Sequence, residues 1–289
     1  MFSAVVFWPS FAGVAFLILG LVAVRRRFAA AAGLDKLIVL GTVFVAAPLA
    51  TFGAEHLTST RAISQGVPSW MPAHLFWTYF VAFALLAAAL SLDLMRYVRW
   101  SAPLLAAMFF VFVLTIHLPN VVAQPHNRIL WAVMLRDTSF GAGALALAQS
   151  TRHSKALLLV ARTLFAVALI FFGVEHFLHP QNAPGVPLPK LMPAWVPAPY
   201  VWASFVGTIL VVAGAALLIN RWSRVSAAFV GLTMTVLTVV LYMPILCMDR
   251  GPAQLIVGVN YVADTLLFGG AALLMAMALR NDDHAPSAA

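Results

Sequence analysis

Charged residues are scarce in this chain, 9% of 289, and cysteine is nearly missing, with Cys247 alone. Soluble domains carry about a quarter of their residues charged. A mean hydropathy of +0.97, with 63% hydrophobic side chains, therefore excludes an ordinary water-soluble fold. A single cysteine excludes an intramolecular disulfide and a thiol-pair redox mechanism. There is no His-x-x-x-His spacing and no nucleotide-binding glycine motif, so neither a metal or haem site nor a nucleotide cofactor is expected. No basic residue precedes the first apolar stretch, and Arg25, Arg26 and Arg27 follow it, the pattern of a retained, reversed anchor rather than a secretory signal.

What the sequence does contain is long apolar runs. They lie at about 4 to 24, 37 to 57, 74 to 94, 101 to 121, 129 to 149, 156 to 177, 199 to 219, 225 to 247 and 255 to 279. A helix needs roughly 20 apolar residues to cross the hydrocarbon core. These are continuous Leu, Val, Ala and Phe stretches rather than short alternating strands, which predicts an all-α polytopic membrane protein of nine spans.

The net charge of +8 does not point to nucleic acid, because the basic residues punctuate the gaps between apolar runs. Arg25, Arg26, Arg27, Lys36, Arg96, Arg99, Arg152, Lys155, Arg162, Arg221, Arg224 and Arg280 fall at every second gap or beside it, while the other gaps hold only Arg61, Arg128, Lys190 and Arg250. The positive-inside rule then places the N-terminus outside and the C-terminus in the cytoplasm, which needs an odd number of spans.

An internal repeat organises the chain. Gly53-Ala54-Glu55-His56 returns as Gly173-Val174-Glu175-His176, and Pro68-Ser69-Trp70-Met71-Pro72 as Pro193-Ala194-Trp195-Val196-Pro197. His117-Leu118-Pro119 matches Tyr242-Met243-Pro244, and Asp137-Thr138 matches Asp264-Thr265. The chain divides into an anchor and cytoplasmic loop over 1–36, four-helix units over 37–150 and 151–280, and a short disordered tail over 281–289. An even number of spans per unit makes the two repeats parallel rather than inverted.

Ionisable residues inside spans are costly, so they face the bundle interior and mark the candidate site. The first unit gathers Glu55, His56, His117 and Asp137, with His74 and Arg136 nearby; the second gathers Glu175, His176, Tyr242 and Asp264, with His179 and Asn260. Glu55 lies about 18 residues into its helix, roughly 27 Å along it, near the outer boundary; Asp137 is roughly 12 Å deep. Two readings stand side by side. The groups cap helix ends and brace the bundle, or they bind a ligand and relay its protons. Adjacent helical residues point about 100° apart, so one member of each Glu-His pair is expected to serve the bundle and the other the loop. Trp70 and Trp195 are expected as interfacial anchors of proline-shaped loops, with direct ligand contact as the alternative.

The string Gly173-Val174-Glu175-His176-Phe177-Leu178-His179-Pro180, followed by Pro193-Ala194-Trp195-Val196-Pro197, resembles the DoxX-like bacterial membrane proteins. That family is a four-helix unit whose first helix ends in a Gly-x-x-His-Phe-x-x-Pro motif before a proline-rich outer loop. Helices six to nine match it best; helices two to five match more loosely, with Leu57 in place of the Phe and no proline at Ser59 to Arg61.

The resemblance implies a fused double unit in a bacterial cytoplasmic membrane. It also implies association with quinol-oxidising or redox-stress complexes. The leading expectation is a redox-associated subunit that binds a quinone-like ring near the outer leaflet, with membrane lipids and a redox partner protein as its contacts. The alternatives are a non-enzymatic carrier or assembly partner, and a carboxylate-dependent enzyme acting on a lipid. No residue is assigned a catalytic role.

Overall fold

The computed structural model describes residues 3–152 and 154–279. The tail expected over 281–289 lies outside the described residues, as does Arg280. Among the described residues nine long helices follow one another: α1 Ala4–Ala30, α2 Asp35–Thr58, α3 His74–Leu94, α4 Val98–Ala123, α5 Arg128–Arg152, α6 Lys155–Leu178, α7 Pro199–Leu218, α8 Ser223–Met248 and α9 Pro252–Leu279. All except α5 are both long and apolar enough to cross a membrane, so the chain is an all-α, multi-pass membrane protein. The nine-span expectation is met on length and apolarity by eight helices. The exception, α5, has the length, but Arg136 and Asp137 interrupt it midway.

The packing shows why α5 tolerates those charges. It runs between α4, α6 and α9 rather than along the lipid. Around it the helices form a ring, α2 against α3 and α9, α8 against α9 and α7, α6 against α7 and α5, with α5 and α9 also meeting across the middle. The first helix of each half thus leans on the last helix of the other half. α9 is the most enclosed element, and α1 is the least, lying outside the ring against α2 and α3.

The α5–α9 contact depends on absent side chains. A Cβ placed on Gly143 would stand 2.6 Å from the Cβ of Ala271 and 2.8 Å from its Cα. Close approach of small residues is how membrane helices gain van der Waals contact when no hydrophobic effect separates them from lipid.

Backbone landmarks recur at a fixed spacing. Ala73, Met95 and Tyr97 have left-handed backbone, and so do Ala198, Asn220 and Trp222, each 125 residues later. A left-handed non-glycine residue costs about 1 to 2 kcal/mol, and both halves carry the cost at the same three positions. A π-helical segment over Val113–His117 likewise returns as Thr238–Tyr242. The cause is local: Pro119 and Pro244 cannot donate a backbone hydrogen bond and would clash with the carbonyl four residues earlier, and widening the turn relieves the clash.

Candidate functional site

The polar residues do not gather half by half as the sequence suggests. Three links cross the halves, Arg136–Asp264 and Arg128–Glu175 through α5 and Asn260–Glu55 beside it, while His117–Asp137 stays within the first half. Arg136 Nη1 donates to Asp264 Oδ2 on α9 at 2.5 Å, and Arg136 Nε lies 3.6 Å from Asp137 Oδ1. The other Asp137 oxygen meets His117 Nε2 of α4 at 2.9 Å. One turn before Asp264 on the same helix, Asn260 Nδ2 donates to Glu55 Oε1 on α2 at 3.2 Å. Glu55, Asn260, Asp264, Arg136, Asp137 and His117 thus form one polar chain through α2, α9, α5 and α4. The helix cross-packing explains it: α2 touches α9 and α5 touches α9, so Glu55 meets a partner 205 residues away.

Glu175 sits in a second cluster two turns away along α5. Arg128 Nη1 donates to Glu175 Oε2 at 2.8 Å, and His179 Nε2 stands 3.8 Å from the same oxygen. A narrow crevice here, bordered by Arg128, Glu175, His179 and Leu188, is too thin to admit a water molecule.

The two Glu-His motifs diverge at the imidazole. His176 is buried, and its Nδ1 donates to the Phe172 carbonyl while its Nε2 accepts the Gly185 amide at 2.8 Å. Both nitrogens are therefore used by the backbone, which leaves no site for a relayed proton. The Nδ1 of His56 donates in the same way to Phe52 O at 2.8 Å, but its Nε2 has no hydrogen-bond partner among the described residues.

The loops diverge in step. In the second half, residues 182–188 fold into the protein and are buried. Tyr242, wholly enclosed, donates its hydroxyl to Pro184 O at 2.9 Å, and Asn182 Nδ2 donates to Leu188 O at 2.7 Å. The first half instead forms short helical turns, Thr60–Ile63 and Ser64–Gly66, that stay at the surface. His117 stands where Tyr242 does, and it turns to Asp137 rather than to a loop. Its side chain is 18% exposed and that of Asp137 13%.

Several residues stay outside the network. His74 opens α3 and makes no hydrogen bond among the described residues through its ring. Trp70 and Trp195 are exposed, at 70% and 46%, and neither touches the carboxylates through a hydrogen bond. Arg128 was visible in sequence only as a basic residue in a gap sparing of them. Its position at the mouth of α5, one helix before the second Glu-His motif, was the available signal.

These features define the class: a polytopic helical membrane protein whose central helix carries a buried ion-pair network. Comparison with known proteins bears on one stretch of the chain. Residues 157–243, from α6 into α8, match the DoxX family, so the chain carries a DoxX domain there. No curated protein and no solved structure matches the chain.

Proposed function

We propose that this protein is a redox-associated membrane subunit that takes up protons from an amphipathic hydroxylated ring of the quinol class. The ring approaches from the lipid side, at the partly exposed pair His117 and Asp137. One observation carries the reading: the polar chain holds three carboxylates against one guanidinium and one imidazole, with Asp264 and Asp137 beside Arg136, Asp137 on His117, and Glu55 bonded only to the neutral amide of Asn260. Uncompensated negative charge is costly inside a membrane. The network therefore holds a proton and has neighbours to pass it to, as proton transfer from a ring hydroxyl requires. A lone exposed cysteine supplies no dithiol, so the electrons pass to a partner protein.

On this reading residues 37–150 are a second, diverged DoxX-like unit that bears the chemistry, while 151–280 supplies the plugged, structural half. The membrane is the bacterial cytoplasmic membrane, with the site towards its outer leaflet. The test is titration of the protein in nanodiscs with a short-chain ubiquinol, followed by tryptophan quenching. Saturable quenching is expected, weakened at least about tenfold, or roughly 1.4 kcal/mol, by Asp137→Asn and by His117→Tyr. Absence of quenching, together with absence of co-extracted quinone, would sink the proposal.

A second reading, an assembly subunit without a ligand, is favoured by the thinness of the crevice at Glu175 and by the mutual pairing of the charges. Under it, Asp137→Asn leaves redox function intact, while Trp195→Ala abolishes recovery of the partner.

A further inference from the structure

The turns after α3 and α7 carry the same motif, Arg96-Tyr97-Val98-Arg99 and Arg221-Trp222-Ser223-Arg224, with Tyr97 and Trp222 both left-handed. In each, the first arginine lies over the following ring, Arg96 at 5.9 Å from the Tyr97 centroid and Arg221 at 4.8 Å from that of Trp222. The second arginines differ. Arg224 is ion-paired with Asp35, which opens α2. The residue that opens α6, and that follows Asp35 by the same interval as Glu175 follows Glu55, is Lys155. Arg224 of the second half thus draws its anion, Asp35, from the start of the first, whereas the second half has a cation, Lys155, at the position equivalent to Asp35. Arg99 has no ion-pair partner among the described residues; its guanidinium lies 5.0 Å from the Trp100 ring centroid.

A groove opens beside Arg99, floored by Met95, Val98, Leu147 and Met277 and rimmed by Tyr97 and Trp100. Its floor is apolar, and Arg99 is the one charged residue among the described residues that line it. We propose that this groove binds an acidic phospholipid, with the phosphate on Arg99 and an acyl chain along the four apolar side chains. Tyrosine and tryptophan favour the headgroup level, where Tyr97 and Trp100 then lie. Free phosphate would leave the apolar floor without a partner. A zwitterionic lipid would bring its own cation against Arg96 and Arg99, so the charge pattern selects a net-negative headgroup.

The test is native mass spectrometry of the full chain, released from detergent after incubation with phosphatidylglycerol or phosphatidylcholine. Wild type is expected to retain phosphatidylglycerol selectively. Arg99→Gln should lower its retention about fivefold, the effect of one arginine near a membrane surface, while Arg99→Lys keeps most of it. Met277→Trp, which narrows the groove without touching charge, should lower retention of the same lipid. Arg250→Gln, at the opposite end of the helices, should change nothing. Equal retention of both lipids, an unchanged Arg99→Gln, or the same loss in Arg250→Gln would each overturn the proposal.

Discussion

Arg136 and Asp264, 128 residues apart, meet at 2.5 Å where α5 crosses α9, and no other ion pair described here joins the last helices of the two halves. Their bond is the polar counterpart of the Gly143–Ala271 contact on the same two helices. Removing one partner of a buried pair leaves the other charge without compensation, at a cost of about 3 to 5 kcal/mol. Arg136→Gln and Asp264→Asn are each expected to lower the thermal midpoint in detergent markedly. The double variant should recover part of the loss, because Asp264 is no longer an orphan charge, although Asp137 keeps only His117 beside it. Additive losses in a double-mutant cycle would show that the two side chains are not coupled.

Gly143 gives an independent handle on the same helix pair. Any side chain there must displace the backbone of Ala271, which would otherwise lie 2.8 Å away. Gly143→Val is expected to cost about 1 to 3 kcal/mol through overpacking. Gly66, whose Cβ would meet nothing within 4 Å, should accept Ala with little change in midpoint. Equal midpoints for Gly143→Val and wild type would show that α5 and α9 do not sit this close.

The helices were legible in the sequence because a bilayer demands long apolar runs, and eight of them announce themselves by composition alone. α5 was harder to see as an inner helix, since Arg136 and Asp137 look like faults in an apolar stretch until Asp264 and His117 appear as their partners. Glu55, His117, Asp137 and Asp264 of the repeated motifs lie in one polar chain, but not with companions from one half alone. Glu55 bonds to Asn260, not to a residue of its own half, because pairing follows helix packing, and sequence order does not dictate which helices touch. The exchange of His117 for Tyr242 was visible as letters. Its consequence was not, because it lies in whether a ring reaches Pro184 or Asp137.

That exchange can be tested at Tyr242. Its hydroxyl donates to Pro184 O inside the protein, with the backbone amide of Gly185 held by His176 one residue further on. Tyr242→Phe keeps the ring and orphans the carbonyl, a penalty of about 1 to 3 kcal/mol for a buried polar group. The loop over 182–188 is expected to gain amide hydrogen exchange by a factor of ten or more, while residues 59–66 stay unchanged. Protection of 182–188 equal to wild type would mean that packing alone holds the loop.

Orientation in the membrane can be read from the one native thiol. Cys247 is exposed in the last turn of α8, at the helix end opposite the Arg221 and Arg224 turn. Arginine-rich gaps face the cytoplasm under the positive-inside rule, so that end of α8 is expected to face outward. A membrane-impermeant maleimide should label Cys247 in intact cells. In a Cys247→Ser background, Ala32→Cys, in the turn between α1 and α2, should react only after permeabilisation. The opposite pattern would invert the protein and carry the Glu55–His117 network to the cytoplasmic leaflet, where it would take its protons from the other side of the membrane.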